Sequence, residues 1–319
     1  MTAQGGVNVS SPEFECAIVV VSFNSAQHIE RLLDSLPAAA AGLRIQCIVV
    51  DNDSRDETVS ILRSRSDVTV VEAGQNLGYA GAINLGRKAV GCACPLLILN
   101  SDLVLEAGAI TQLYRALDDP AVGVALPMLL DDDGGLYLSL RREPSPARAL
   151  GDALFGSRLP WRPGGLSETV RDRHVYRVQH DADWGGGAAL LVSAACNDAV
   201  GDWDDMRFFL YSEETDFAAR VRLHGYRVRY VPEARIRHEG GGSSGQSAAL
   251  AALMAVNRVR YYEKYHRRPS TSLFRAAVVL HYLLRSTNPE DRVTLRALLW
   301  RPAWAGLLGG RTVSRAPAR

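Results

Sequence analysis

Four short constellations carry side chains that can do chemistry. The first is Val50-Asp51-Asn52-Asp53-Ser54, which follows an apolar run. A carboxylate beside a carboxamide can read a pyrimidine edge. Asn52 can donate to a ring carbonyl and accept from a ring N–H, which a carboxylate alone cannot do. An ordinary turn, with Asp53 or Ser54 capping the next helix, uses the same residues. The second is Leu99-Asn100-Ser101-Asp102, after Pro-Leu-Leu-Ile. One carboxylate there suits a hard divalent cation that keeps several waters and takes phosphate oxygens as its other ligands. The third is Phe208-Phe209-Leu210-Tyr211-Ser212-Glu213-Glu214-Thr215-Asp216-Phe217. Acids at a helix start are favoured by the helix dipole. An apolar wall beside a carboxylate also raises its pKa towards that of a general base. The fourth is Arg235-Ile236-Arg237-His238-Glu239, followed by Gly240-Gly241-Gly242. A neutral histidine can complete a metal shell, and a glycine run can wrap a diphosphate with backbone N–H groups.

These residues need elements to hold them. Ala17–Phe23, Ile45–Val50, Val68–Val71 and Leu96–Leu99 read as short strands that are apolar throughout. Between them, 27–36, Glu57–Arg65 and 78–90 carry a helical period. Buried strands joined by helices imply parallel βαβ units covered on both faces. Ligands on such sheets gather at the carboxyl ends of the strands. That rule selects Ser22–Asn24, Asp51–Ser54 and Asn100–Asp102. Residues 141–175 are rich in Arg, Pro and Gly and read as a long mobile excursion. Beyond it, Ser212–His224 and 248–266 look helical and Arg227–Val231 strand-like. Amphipathic segments follow near Leu273–Leu284 and Arg292–Leu299.

Composition narrows the class. Of 319 residues, 47% are hydrophobic and 22% charged, which excludes a disordered or fibrous chain. No apolar stretch approaches the roughly 18 residues of a membrane span. The opening MTAQGGVNVSSPEFE has no basic n-region or apolar core, so a secretory signal is not expected. Cys16, Cys47, Cys92, Cys94 and Cys196 are irregularly spaced and read as reduced thiols, mostly buried, in a cytoplasmic protein. The net charge of +1 hides an asymmetry: from Arg258 onward there are 13 Arg and Lys against 3 Asp and Glu. The acidic body argues against nucleic acid. The basic tail suits an anionic partner such as the inner face of a membrane, or a second subunit in a homodimer. It reads equally well as a solvated face.

Taken in order, the motifs resemble the inverting glycosyltransferases of family two, in particular the bacterial rhamnosyltransferase-type branch. The resemblance rests on VVVSFNS (19–25), VDNDSRDET (50–58), NLGYAGAINLG (76–86), LLILNSD (96–102), WGGGAALLV (184–192), FFLYSEETDFAARVRLHGYRV (208–228) and VPEARIRHEGGGSSG (231–245). It implies an α/β fold of GT-A type: a mostly parallel nucleotide-binding sheet flanked by helices, with a helical C-terminal tail. The expected divisions are an N-terminal extension (1–14), a GT-A domain (15–245, halved at 125/126) and a basic helical region (246–319). Asp51 and Asn52 match the base-reading pair. Ser22, Asn24, Asn100 and Ser101 fall among the donor-binding positions, and Asn84 matches a position near the ribose and diphosphate. Asp102 matches the last acid of a metal motif usually written Asp-x-Asp, here Asn-Ser-Asp, with His238 joining the shell around Mg²⁺ or Mn²⁺. Trp184, Gly185, Gly186 and Gly187 match the acceptor-side segment. The family's Glu-Asp base motif reads Glu213-Glu214, with Glu214 in the Asp position. The resemblance thus implies transfer of a sugar, a deoxysugar such as rhamnose leading, from a dTDP- or UDP-sugar to a glycan, glycolipid or natural-product hydroxyl. A nucleotidyltransferase would need a basic, glycine-rich triphosphate loop after the first strand, where Ser-Phe-Asn-Ser stands instead. A non-catalytic binding protein would be favoured by loss of Asp102 or of both glutamates, and all three are present.

Overall fold

A computed structural model describes residues 14–156, 164–239 and 247–308. The loop Gly240–Gly242 and most of the N-terminal extension lie outside the described residues. The first half follows the alternating pattern: β1 (Cys16–Ser22), α1 (Ile29–Ala40), β2 (Ile45–Asp51), α2 (Thr58–Arg63), β3 (Thr69–Glu72), α3 (Gly78–Ala89) and β4 (Leu96–Asn100). Next come β5 (Leu103–Leu105), α4 (Ala109–Arg115), β6 (Val122–Leu130), β7 (Leu140–Arg141), α5 (Pro146–Leu154), β8 (His180–Ala182), β9 (Trp184–Gly185), β10 (Ala189–Val192), α6 (Ala194–Val200), α7 (Glu213–Leu223) and β11 (Arg227–His238). The tail is helical, with α8 (Ala248–Tyr265), α9 (Ser270–Leu283), α10 (Pro289–Leu299) and α11 (Trp304–Leu308). Among the described residues, no helix is long and apolar enough to cross a membrane.

The main sheet runs β3-β2-β1-β4-β10-β6-β11-β5, with β8 beside β11. β1, β2, β3 and β4 pair in parallel, whereas β10 is inserted antiparallel between β4 and β6. Buried β1 alternates between two cores, as a period of two requires. Cys16, Ile18 and Val20 face the layer containing α1 and α4. Ala17, Val19 and Val21 face the layer of α3, α6 and α7. Register aligns Ser22 with Asp51 and Val21 with Asn100, so the three expected strand ends share one edge.

Two expectations are corrected. Residues 141–156 and 164–175 are largely built into the protein rather than forming an excursion. Ser145 caps α5 by accepting from the Arg148 N–H, and Pro146 opens that helix. Ser-Pro is a helix start signal that the loop-like composition obscured. Helix α5 packs its Ala149 into a core with Phe274 and Val278 of α9. Second, Cys92 and Cys94 form a disulfide in the turn between α3 and β4, where their Cα atoms lie 5.4 Å apart. That spacing is within reach of a bridge. Cys16, Cys47 and Cys196 are free and buried, as expected.

Candidate functional site

A cavity of about 820 Å³ opens at the carboxyl edge of the sheet. Asn24, Asn52, Asn100, Ser101, Asp102, Gly186, Gly187, Glu213, Glu214 and His238 all line it. The chain brings together residues up to 214 positions apart by strand register. β11 runs antiparallel to β5, and His238 pairs with Leu103. His238 therefore lies beside Asp102: its Nε2 is 3.2 Å from Asp102 Oδ2, and the Glu239 N–H donates to the Asp102 carbonyl at 2.8 Å. The other atoms of this pair, Asp102 Oδ1 and His238 Nδ1, are buried without a hydrogen-bond partner. Buried polar atoms seldom stay unpaired. One carboxylate and one imidazole leave positions open for waters and phosphate oxygens, so the pair fits a hard divalent cation. Among the described residues no group of three or more His, Cys, Asp or Glu side chains forms a closed metal cage.

Opposite stands the start of α7. Tyr211 (φ +68°) and Ser212 (φ +72°) are both left-handed. Such non-glycine residues cost on the order of 1–3 kcal/mol each and persist only where surroundings impose them. Here Asn257, buried on α8, donates from Nδ2 to the Leu210 carbonyl at 2.8 Å. The Tyr79 N–H donates to the Phe209 carbonyl at 2.8 Å. Gly78 is also left-handed, and a Cβ on it would come within 2.1 Å of the Phe209 oxygen. Only glycine lets α3 start against this loop.

The two glutamates differ in environment. Glu213 is buried, its Oε2 has no hydrogen-bond partner, and burial first, then the charge of Glu214, push its pKa well up. Burial also raises Glu214, but backbone N–H groups of the helix start and the Arg141 guanidinium act the other way. Both acids are thus pushed towards holding a proton, Glu213 the more strongly, which leaves Glu214 the more easily ionised of the two. Tyr79 lies within the field of Glu213, Glu214 and Asp102, and its hydroxyl donates to the Gly187 carbonyl at 2.8 Å. A Cβ on Gly187 would sit 3.3 Å from the Glu214 Cβ, so the glycine leaves that side chain its place.

Other expected residues lie behind this surface. Ser22 and Asp51 are buried and tie strand ends together: Asp51 accepts from the Ser54 N–H at 3.1 Å and the Ser22 hydroxyl at 3.4 Å. Asn84 is away from the cavity, against the expectation. Its amide closes a two-way bond with the Trp203 backbone, donating to the carbonyl at 2.9 Å and accepting from the N–H at 2.8 Å. Asn52 reaches the cavity but its amide is largely engaged. It accepts from the Leu77 N–H at 2.8 Å and donates to Asn76 Oδ1 at 3.0 Å and the Gly78 carbonyl at 3.3 Å. Gly185 packs on Leu126, and Trp184 faces a neighbouring cavity instead. Tyr79, Tyr137, Arg141 and Met254 line the site without having been singled out. Tyr79 stands within the quoted GYAGAIN stretch, the one signal that could have found it.

Residues 17–180 match the family model described as "Glycosyl transferase family 2". The chain is 29% identical, over 86% of its length and 94% of the relative, to the N-acetylglucosaminyl-diphospho-decaprenol L-rhamnosyltransferase of Mycobacterium tuberculosis. It is 23% identical, over 69% of its length and 82% of the relative, to rhamnosyltransferase WbbL of Escherichia coli. Among solved structures, the fold resembles the mannosyltransferase PcManGT of Pyrobaculum calidifontis, with a TM-score of 0.55 and 20% identity over 95% of this chain and 81% of that one. It also matches GalNAc-T7 with a TM-score of 0.54 and 14% identity over 79% of this chain, spanning about half (48%) of that longer chain. The family match covers the strand ends that carry Asn52 and Asp102, and the chain belongs to glycosyl transferase family 2, as a glycosyltransferase enzyme of the rhamnosyltransferase-like kind.

Proposed function

We propose that the protein transfers a sugar from a nucleoside-diphosphate donor to an acceptor hydroxyl by a single displacement that inverts the anomeric centre. The observation that carries this is one cleft with an ionisable base, Glu214, on one wall and the Asp102–His238 pair on the other. Glu214 takes the proton of the acceptor hydroxyl as that oxygen bonds to the anomeric carbon. The bond from that carbon to the nucleotide diphosphate breaks, and the nucleoside diphosphate leaves. Positioning of both substrates supplies much of the remaining acceleration. Asn24, Asn52, Asn100 and Ser101 form the donor wall, with Ser22 and Asp51 bracing the strand ends behind it. Asn52 keeps the turn at 76–78 in shape and retains a carbonyl lone pair for a base. Asp102 and His238 would hold Mg²⁺ or Mn²⁺. The cation would compensate the charge of the diphosphate. PcManGT carries Mn²⁺ and GDP-Man in its structure, and the named relatives are rhamnosyltransferases. A dTDP- or UDP-linked deoxysugar, rhamnose first, is the donor we infer.

Calorimetry with dTDP and UDP tests the reading. Binding should weaken at least tenfold in chelator, and Asp102→Asn should show the same loss with Mn²⁺ present. Ligand at 100 times its Kd should also add about 2.7 kcal/mol of stability. Equal affinity with and without Mn²⁺ would remove the cation, and no nucleotide binding would remove the donor assignment.

A further inference from the structure

Glu214 lines both the cleft and a neighbouring cavity of about 580 Å³, so open space borders its side chain on two sides. Proton transfer to a carboxylate needs the two oxygens about 2.6–3.2 Å apart. A glutamate with rotatable bonds beside open space needs lateral support to stand that accurately. Gly187 gives contact along its stem: a Cβ built on Gly187 would lie 3.3 Å from Glu214 Cβ and 3.5 Å from Glu214 Cγ. Contact at these two carbons limits the χ1 and χ2 rotamers open to the side chain. The same Cβ would lie 3.6 Å from Tyr79 Cε1, so Gly187 has Tyr79 as its other close neighbour.

Tyr79 joins the two segments that locate Glu214. Its hydroxyl donates to the Gly187 carbonyl at 2.8 Å, across a separation of 108 residues. Its N–H donates to the Phe209 carbonyl at 2.8 Å, just before the left-handed turn Tyr211–Ser212 that starts α7. One residue thus ties the segment beside the Glu214 stem to the loop that carries the Glu214 backbone. The peptides on either side of Gly187 are held elsewhere. Gly186 donates its N–H to the Ser139 carbonyl at 3.1 Å, and the Ala188 carbonyl accepts from the Asn100 N–H at 2.8 Å. The direction of the Tyr79 bond is settled, because a carbonyl has no proton to give. Burial first, then Glu213, Glu214 and Asp102, keep the Tyr79 pKa well above its ordinary value, so the hydroxyl stays a donor. A neutral tyrosine whose proton is already committed is not itself the general base.

We propose that Tyr79 is a positioning residue for the transfer: with its hydroxyl on Gly187 and its N–H on Phe209, it fixes the place from which the Glu214 carboxylate meets the acceptor hydroxyl. Tyr79 acts through Glu214 and moves no proton. This rests on the reading of Glu214 as the base.

The test uses Tyr79→Phe and Gly187→Ala in the full chain, each alone and combined with Glu214→Gln. Tyr79→Phe keeps the ring and removes the donor. Gly187 is not left-handed, so alanine meets no backbone strain there, and its methyl must push the Glu214 stem by a few tenths of an ångström. Turnover is read as dTDP released from dTDP-rhamnose with Mn²⁺. A misplacement of about 1 Å costs about 10²-fold, so each variant should lower kcat at least about fivefold. Affinity for dTDP with Mn²⁺ should change less than about twofold. On the Glu214→Gln background each should lower kcat by less than about twofold, because residues that act through one group are not additive. Full turnover in Tyr79→Phe overturns the proposal. So does the same loss with and without the Glu214 carboxylate, which would place the action of Tyr79 elsewhere. A fall in dTDP affinity that matches the fall in turnover would make Tyr79 a donor contact instead. Full turnover in Glu214→Gln alone removes the base reading, and that variant is scored by itself. Crystal structures of Tyr79→Phe and Gly187→Ala give a readout that needs no substrate. The Glu214 carboxylate should be displaced by about 0.5 Å or more in each, and a Glu214 that superimposes on the wild type in both overturns the proposal.

Discussion

Glu214→Gln keeps the volume and planarity of the side chain and removes its ability to take a proton. General base catalysis is worth about 10²–10⁴ in rate, and kcat should fall within that range. Donor KM should move less than about threefold, because the proposed diphosphate site lies across the cleft and an interaction made only in the transition state leaves ground-state binding alone. The assay is release of nucleoside diphosphate with and without acceptor. The wild-type pH profile carries a second reading. A base works only when ionised, so kcat must fall as pH drops through the pKa of Glu214. Burial raises that pKa, so the acid limb should lie above the 4.5 of an ordinary glutamate. Glu213→Gln is the control. Glu213 already holds its proton because it is more deeply penalised, by burial and then by Glu214. A neutral amide in place of a neutral acid should keep turnover and leave the acid limb where it was. An inactive Glu213→Gln beside an active Glu214→Gln would reverse the assignment. A shifted acid limb in Glu213→Gln would show that Glu213 is ionised in the resting protein. Full turnover in both would move the proton transfer off α7 altogether.

Glu213 also couples folding to pH. An acid with a raised folded pKa binds a proton the unfolded chain has lost, so stability is full below the unfolded value and declines towards the folded one, by up to about 1.36 kcal/mol per pH unit. Urea denaturation should therefore show Glu213→Gln gaining on wild type as pH rises through that window, and parallel curves would contradict a buried, protonated Glu213. The basic tail should bind anionic vesicles: Leu273, Leu299 and Trp300 are exposed on α9, α10 and just beyond, near exposed Arg292 and Arg296. Sedimentation with phosphatidylglycerol vesicles should retain the protein at low salt, and Leu299→Ser with Trp300→Ser should release it. Equal sedimentation of the double variant would make this a solvated face.

What the sequence makes legible is local. The apolar runs at 17–23, 45–50 and 96–99 leave β1, β2 and β4 little alternative, and parallel pairing places their ends on one edge. Asp102 and His238 are visible as types, but their meeting depends on β11 running antiparallel to β5 after a separation of 136 residues. No periodicity encodes that. Residues 189–192 are an apolar run, yet the antiparallel place of β10 between β4 and β6 is a long-range choice. Asn84 misleads for a related reason. A carboxamide beside glycines suits a phosphate loop, but the same amide satisfies the Trp203 backbone when α3 is packed against it. The Arg- and Pro-rich segment misleads through composition: its Arg141 and Arg142 bond backbone carbonyls and its buried Glu168 pairs with Arg258 of α8, so these charges hold structure together where solvated charge was expected.

The tail is where sequence order and spatial role part furthest. Residues 246–319 read as a basic appendage to the nucleotide-binding body. Yet α8 supplies Met254 to both cavities, and Arg258 and Tyr261 to the second. Its Asn257 holds the Leu210 carbonyl. Its Lys264 reaches Asp216 at 2.6 Å, where Arg220 and Tyr265 also bind that wholly buried carboxylate. Asp216 lies in the first turn of α7, two residues beyond Glu214. A buried carboxylate with three such partners is costly to disturb, since breaking one contact leaves charge unpaired. The left-handed turn at Tyr211–Ser212 is therefore clamped from three sides: by α3 through Phe209, by α8 through Leu210, and by α8 again through Asp216. The strained turn before Glu213 and Glu214 is thus held in part by α8, which makes that helix part of the support of the proposed base.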